Sequence, residues 1–339
     1  MATIRDVAGI AGVSISTVSL ALNAPSRVSA ETRRKVEAAA REVGFSANPI
    51  AQSLKRGKSR LIGLVVADIT NPFFGRLLRE IESCAAEAGY MVVINDTHAS
   101  AEQERAILTL LEGQKAAGVI LSPHGTGEAH LDLIRNLSMP VVLFDHRLEG
   151  LEADYVGTDN HLAAAVLTEH LIRLGHRRIA WIGGLSGVYT AERRREGYEA
   201  TLRAHGLQVD PALIVEGRYT GEGGYAAALH LLTRSECRPT AILAASNLMA
   251  IGALQACREL GIACPAEVSL AGIDDVPWSD VITPRITCAV QQIDEMARTA
   301  CRMLMERIQG TSSETIPPRD HVFTPRFDIR ASTAAPREG

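Results

Sequence analysis

The sequence predicts a small all-α helix-turn-helix head joined to an α/β body of two doubly wound parallel-sheet subdomains. Three observations carry this. The stretch AGVSISTVSLALN (11–23) puts an apolar residue at every third or fourth position, with Gly12 at its start, so it reads as a turn entering a short amphipathic helix. From residue 61 onward, near-continuous apolar strands alternate with helical stretches, the pattern of parallel sheets covered on both faces. That region is large for one sheet, and its pattern restarts after about 160, which implies two subdomains.

The head reads as three helices. Thr3 is the expected N-cap of a helix over about 3–10, with Asp6 three residues on and Ile4, Val7 and Ala8 on one face. Gly12 makes the turn, and Ser14 caps a second helix over 15–23 with Val18, Ala21 and Leu22 inward. Ser29 and Thr32 open a third, with Val36, Ala39, Ala40 and Val43 inward and Gly44 at its end. The outward face of the second helix carries hydroxyls and no carboxylate, which suits phosphate oxygens and base edges. Charge agrees: residues 1–60 hold ten Lys and Arg against four carboxylates, a net +6, while the rest of the chain carries −10. A basic head on an acidic body predicts a polyanionic partner for the head alone.

The run TIRDVAGIAGVSISTVSLALN, followed by RVSAETRRKVEAAAREVGFSANPIAQSLKRGKSRLIGLVV, resembles the start of a LacI/GalR-family transcriptional regulator, and the resemblance extends over the whole chain. It implies that Ile15, Ser16 and Leu20 read base edges, and that Thr3, Ser14, Thr17, Asn23, Ser29 and Thr32 contact the DNA backbone. Leu20 departs from the Arg or His common in relatives; a leucine touches a thymine methyl but forms no bidentate pair with guanine.

Residues 46–60 read as a linker, with Pro49 able to start a helix and Gly57 to end it. At barely two turns this helix is too short to stand alone, so it is expected to form on DNA. The resemblance makes it the hinge helix: two copies pair in the minor groove, Leu54 wedges into the central base step, and Asn48, Ala51, Gln52 and Lys55 lie beside it.

In the body, strands are expected at LIGLVVA, YMVVIN, AGVIL, PVVLFD, RIAWIGG, TAILAA and VSLAGID, with helices near 74–88, 101–114, 161–173, 191–205, 222–233 and 247–260. The first subdomain is placed at about 61–160 plus 291–320, the second at about 161–290 plus 321–330, with a tail over 331–339. Ligands of such folds bind at the carboxyl ends of the strands. Those ends hold Asn71, Phe73 and Phe74; Asp145 and His146; Thr190 and Arg194; Tyr219; Ser246 and Asn247; Asp274; and Gln291. Amides, carboxylates and an arginine bind vicinal hydroxyls, and aromatic faces cover C–H surfaces. The resemblance makes this a type I periplasmic-binding-protein-like domain with a sugar-type effector, and these residues match its contact positions. Arg147 beside His146 leaves an acidic sugar open. Among Arg193–Arg195, one side chain is expected to point inward and two into solvent.

Enzyme signals are weak. GEGGYA (221–226) fits a dinucleotide fingerprint but follows no clear strand, and the first strand lacks such a loop. There is no phosphate-cradling GxxxxGK, no HExxH, and GGLSG lacks the spacing of a nucleophile elbow. The six cysteines form no CxxC pair, so neither a metal nor a disulfide framework is expected. No apolar run is long enough to span a membrane, and MATIRDVAG does not read as a secretory signal. The expectation is a cytoplasmic, homodimeric, effector-controlled repressor that binds a palindromic operator in double-stranded DNA, without cofactor or metal; the alternatives are a sugar-binding protein without a DNA role and a sugar-acting enzyme. The tail lacks leucine heptads, so no coiled-coil tetramer is expected.

Overall fold

The structure, a computed structural model, describes residues 2–23, 27–45, 59–125, 127–234, 238–310 and 317–337. The chain divides into two compact units, Met1–Arg60 and Leu61–Gly339.

In the first unit, α1 (Ile4–Ala11), α2 (Ile15–Asn23) and α3 (Ala30–Glu42) close around Val7, Val18 and Val36, each fully buried. The Thr3 backbone N–H and hydroxyl both donate to Asp6 Oδ2, at 2.7 and 2.9 Å. Gly12 takes a left-handed φ of +63°, and α1 and α2 meet at 101°, within the range of helix-turn-helix pairs. Ser14 Oγ accepts from the Thr17 N–H, and Ser29 Oγ accepts from the Thr32 N–H, both at 3.1 Å. The same Ser-x-x-Thr cap therefore starts both later helices.

In the second unit, one six-stranded sheet runs β11-β5-β4-β3-β1-β2, built from β1 (Leu61–Val66), β2 (Met91–Asp96), β3 (Gly118–Leu121), β4 (Val141–Phe144), β5 (Asp154–Thr158) and β11 (Asp320–Phe323), every pairing parallel. The other runs β12-β10-β9-β8-β6-β7, from β6 (Ile179–Gly183), β7 (Ile214–Glu216), β8 (Ala241–Ala244), β9 (Ser269–Ile273), β10 (Thr287–Val290) and β12 (Arg326–Asp328). Only the β10–β12 pairing is antiparallel. The first sheet goes with α4 (Pro72–Glu87), α5 (Ala101–Gly113), α6 (Glu128–Arg135) and α11 (Ile293–Gln309). The second goes with α7 (Asn160–Arg173), α8 (Tyr189–Ala204), α9 (Gly221–Thr233) and α10 (Asn247–Glu259). The central strands are buried on both faces, β3, β6, β8 and β9 without exception.

The chain passes between the subdomains three times: after β5, after β10 and between β11 and β12. Residues 321–323 therefore belong to the first sheet, not the second as the sequence suggested. Residues 331–337 are not a loose tail either. Ser332 is fully buried, accepts from the Thr287 N–H at 2.8 Å and donates to the Leu270 carbonyl at 2.5 Å. The glycines of GEGGYA serve helix packing: a Cβ on Gly224 would lie 2.4 Å from the Met249 carbonyl oxygen, and one on Gly252 would lie 2.0 Å from that of Gly221. No single helix among the described residues is long and apolar enough to cross a membrane.

A cleft and a recognition helix as the candidate functional site

A cavity of about 300 Å³ opens between the two subdomains of the body. All twelve cleft residues expected from the sequence line it: Asn71, Phe73, Phe74, Asp145, His146, Thr190, Arg194, Tyr219, Ser246, Asn247, Asp274 and Gln291. It is also lined by Asp68, His98, His124, Arg218 and Thr220, which the sequence reading did not single out.

The backbone explains how side chains from two subdomains converge. Seven non-glycine residues among those described have positive φ, and six of them line the cleft: His98, Ala99, Asp145, Arg218, Tyr219 and Asp274. They form matched sets. Asp145 follows β4 and Asp274 follows β9, and each donates its N–H to the next strand, to the Val156 and Ala289 carbonyls. His98–Ala99 and Arg218–Tyr219 lie just beyond the edge strands β2 and β7. Each left-handed residue of this kind costs about 1–3 kcal/mol, and such strain concentrates at ligand clamps.

Arg194 is the hub. It lies near the start of α8, only 4% exposed, and donates from Nε to Asn160 Oδ1 at 2.6 Å and from Nη1 to the Ala245 carbonyl at 2.7 Å. Arg193 and Arg195 point outward and pair with Glu196 and Glu199, so the reading of one inward arginine and two solvated ones holds. Arg194 sits in the field of both buried carboxylates and acts on each. Burial raises the Asp145 carboxyl, but the hydrogen bond from His146 and the charges of His146 and Arg194 outweigh it and hold Asp145 below its ordinary range. Burial also raises Asp274, and there Arg194 and the bonds from the Gln291 side chain (2.8 Å) and N–H (3.2 Å) fail to compensate. Asp275 is turned away and held by Arg330 Nη2 at 2.5 Å, so only the first aspartate of that pair serves the cleft.

The remaining walls are equally defined. Asn71 caps α4, its Oδ1 accepting from the Phe73 N–H at 3.0 Å, and Ser246 caps α10. Phe73 and Phe74 pack edge-to-face at 5.1 Å and belong to the first subdomain's core as well as the cleft. Tyr219 shares a 3.0 Å hydrogen bond with Thr190, and Asn247 Nδ2 donates to the Asp275 carbonyl at 3.2 Å. His124 is placed by the fully buried Glu104, whose Oε2 accepts from the His124 N–H at 2.6 Å. Burial, reinforced by His146, lowers the His124 imidazole. Arg147 does not line the cleft: Nη2 pairs with Asp320 Oδ2 at 2.6 Å, and the guanidinium lies 4.2 Å over the Tyr155 ring. It therefore gives no support to an acidic ligand. Asp145 Oδ1 and Gln291 Oε1 are buried and accept no hydrogen bond among the described residues.

In the first unit, the residues of α2 and its cap that face solvent are Ser14, Ile15, Ser16 and Leu20, with Thr17 half-buried beside them. Ile15 is 45% and Leu20 39% exposed, high for apolar side chains on a helix with this core. Thr3 is exposed, Ser29 and Thr32 lie at the start of α3, and Asn23 ends α2. Asn48, Ala51, Gln52, Leu54 and Lys55 lie outside the described residues.

Comparisons with known proteins agree with both units. Residues 3–48 match the family model of bacterial regulatory proteins of the lacI family, and residues 168–333 match that of a periplasmic binding protein-like domain. The HTH-type transcriptional repressor CytR of Escherichia coli is 36% identical over 310 residues, covering 91% of this chain and 90% of the relative. The ribose operon repressor of Haemophilus influenzae is 32% identical, covering 98% of each. Among solved structures, the Lac repressor dimer bound to operator and the anti-inducer ONPF is 27% identical with a TM-score of 0.86, covering 98% of this chain and 99% of that one. The transcriptional regulator CelR–cellobiose complex has a TM-score of 0.74 at 29% identity, covering 98% and 100%.

Proposed function

Because the chain belongs to the lacI family of bacterial regulatory proteins, we propose that it is a transcriptional repressor whose hold on operator DNA is set by a neutral, hydroxyl-rich small molecule in the body's cleft. The observation that carries this is the joining, in one chain, of a helix exposing Ile15, Ser16 and Leu20 to a cleft with buried acceptors that await donors. A buried acceptor left unpaired costs about 1–3 kcal/mol, so a ligand that donates to Asp145 Oδ1 and Gln291 Oε1 gains more than its contact area suggests.

The ligand is neutral because the buried arginine of the cleft is already engaged, and the exposed Arg218 that also lines it sits beside Glu216, its Nε 3.9 Å from Oε1. Arg147 is bound to Asp320, and Arg194 spends two donors on Asn160 and Ala245 while facing two carboxylates. An anionic group would meet Asp145 and Asp274. Phe73, Phe74 and Tyr219 supply apolar faces for the C–H side of a sugar. Ligand contacts to both subdomains favour one arrangement of the two, and that differential affinity is what moves the DNA-binding equilibrium.

On DNA, Ile15, Ser16 and Leu20 read base edges, while Thr3, Ser14, Thr17, Asn23, Ser29 and Thr32 contact the sugar–phosphate backbone. Leu54 acts as a wedge flanked by Asn48, Ala51, Gln52 and Lys55. A homodimer places two such helices on a two-fold site, in the cytoplasm where operators lie. Selection of bound sequences from a random duplex library with the full chain tests the DNA half. A two-fold symmetric site, with affinity falling steeply as salt rises, is expected; recovery of unselected sequence would remove it. A thermal-shift screen with neutral sugars, sugar acids and sugar phosphates tests the cleft, and stabilisation by the charged classes alone would overturn the neutral assignment.

A further inference from the structure

The helices α4 and α11 pack side by side in the first subdomain and are joined by a ladder of paired side chains. Arg76 Nη2 meets Asp294 Oδ1 at 2.8 Å, and one turn on, Arg298 Nε meets Glu80 Oε2 at 3.0 Å. The next rung, one further turn along both helices, is a pair of cysteines. The register of the two rungs sets Cys84 of α4 against Cys301 of α11, Cys84 packs against the core cluster that holds Cys301, and the Cys301 thiol reaches the Ile81 carbonyl oxygen of α4 at 4.0 Å. The neighbours at this level are small, Ala85, Ala297 and Ala300, which lets the helices approach closely.

The two thiols differ in access. Cys301 is fully buried, whereas Cys84 is half-buried and opens onto a groove lined by Glu80, Glu87, Arg298, Arg302 and Met305. A small reagent reaches Cys84 there, and Cys301 lies in the core cluster against which Cys84 packs. Cys264, in the second subdomain, is engaged differently, its Sγ donating to the Ser332 carbonyl at 3.7 Å.

We propose that Cys84 and Cys301 are a reversible dithiol–disulfide site, closed by exchange with a small disulfide such as oxidised glutathione. The Cys84 thiolate attacks one sulfur of the reagent, forming a mixed disulfide and releasing one reduced thiol. Cys301 then loses its proton and attacks the Cys84 sulfur, displacing the second reduced thiol. Overall the two protein thiols lose two electrons and two protons, and the reagent gains both. Burial raises the Cys301 thiol, so this second step is the slow one. In a reducing compartment the pair stays open. The bridge ties α4, whose first residues carry Phe73 and Phe74 into the cleft, to α11, which follows Gln291.

The test uses the folded full chain equilibrated in glutathione buffers from fully reduced to fully oxidised, quenched in acid, alkylated and digested without reduction. The expected result is loss of alkylation at both cysteines together, with a linked peptide pair carrying Cys84 and Cys301 that separates on reduction. Glutathione on Cys84 without a link, both thiols alkylated across the whole series, or a link that forms only after unfolding in urea would each overturn the proposal. No effector is needed, so the outcome is independent of the sugar assignment.

Discussion

Replacing Arg194 by alanine separates a residue that only touches ligand from one that also holds the fold. Arg194 lines the cleft, and the structure also gives it two buried bonds, to Asn160 Oδ1 and the Ala245 carbonyl, joining α8, α7 and the end of β8. Hydrogen bonds to a charged group contribute about 1.5–3 kcal/mol each, so Arg194→Ala is expected to cost about 3–6 kcal/mol. At about 2–4 °C per kcal/mol for a unit of this size, the melting temperature falls by at least roughly 6 °C. Arg193→Ala and Arg195→Ala remove solvent-exposed pairs with Glu196 and Glu199 and should cost under about 0.5 kcal/mol each. Calorimetry of the three variants without ligand is the assay. A melting temperature for Arg194→Ala within about 2 °C of the neighbouring variants would refute the reasoning, since it would mean the buried bonds contribute nothing net.

Asp274→Asn should stabilise the body increasingly as pH rises. The folded carboxyl is raised by burial, so the stability its protonated form contributes is lost as pH climbs from the ordinary aspartate value of 3.8 through the folded value; the variant escapes that loss, and a pH-independent difference in unfolding free energy would contradict it. Gly252→Ala drives a methyl to 2.0 Å from the Gly221 carbonyl oxygen, so urea unfolding should register a loss of about 1–3 kcal/mol as α9 and α10 separate. Leu54→Ala should weaken binding to the selected operator far more than to random duplex, by competition gel shift, because only the specific complex uses the wedge; equal losses on both would make 49–56 a plain tether.

What the sequence made legible was whatever has a local signature. Apolar strands buried on both faces read as such, and so did polar residues immediately beyond them, which is why the sequence alone points to Asp145 and Asp274 as cleft residues. The helix caps at Ser14 and Ser29 were equally plain, because a capping hydroxyl precedes its partner N–H by a fixed spacing, and at Thr3 the cue was Asp6 three residues on, whose carboxylate accepts from the Thr3 N–H and hydroxyl. The omissions have long-range causes. β5 is five residues long and begins with Asp154, a poor strand former, which is buried only because Arg307 and Arg319 reach it from far along the chain. The short strands β7, β10, β11 and β12 run three or four residues and carry little periodicity. His98 and Arg218 escaped because left-handed backbone at a non-glycine residue is imposed by the surrounding fold. His124, in the loop after β3, escaped because its anchor, Glu104, lies twenty residues away on α5. By contrast α11 was legible and passed over: Ile293, Met296, Ala297, Ala300 and Leu304 mark one buried face at helical spacing.

The central claim is that occupancy of the cleft sets the grip of the head on DNA. The most direct measurement is the affinity of the full chain for its selected symmetric site, with and without the neutral sugar that most stabilises the body, in wild type and in Asp145→Asn. Asparagine tolerates the left-handed backbone at 145 while removing a charged acceptor, so the variant should fold and bind DNA as wild type does. The account predicts a ligand-dependent change of at least about fivefold in wild-type DNA affinity, the lower range of allosteric couplings, and little or none in Asp145→Asn at the same ligand concentration. A sugar that stabilises the body yet leaves wild-type DNA affinity unchanged, or one that shifts both proteins equally, would contradict it.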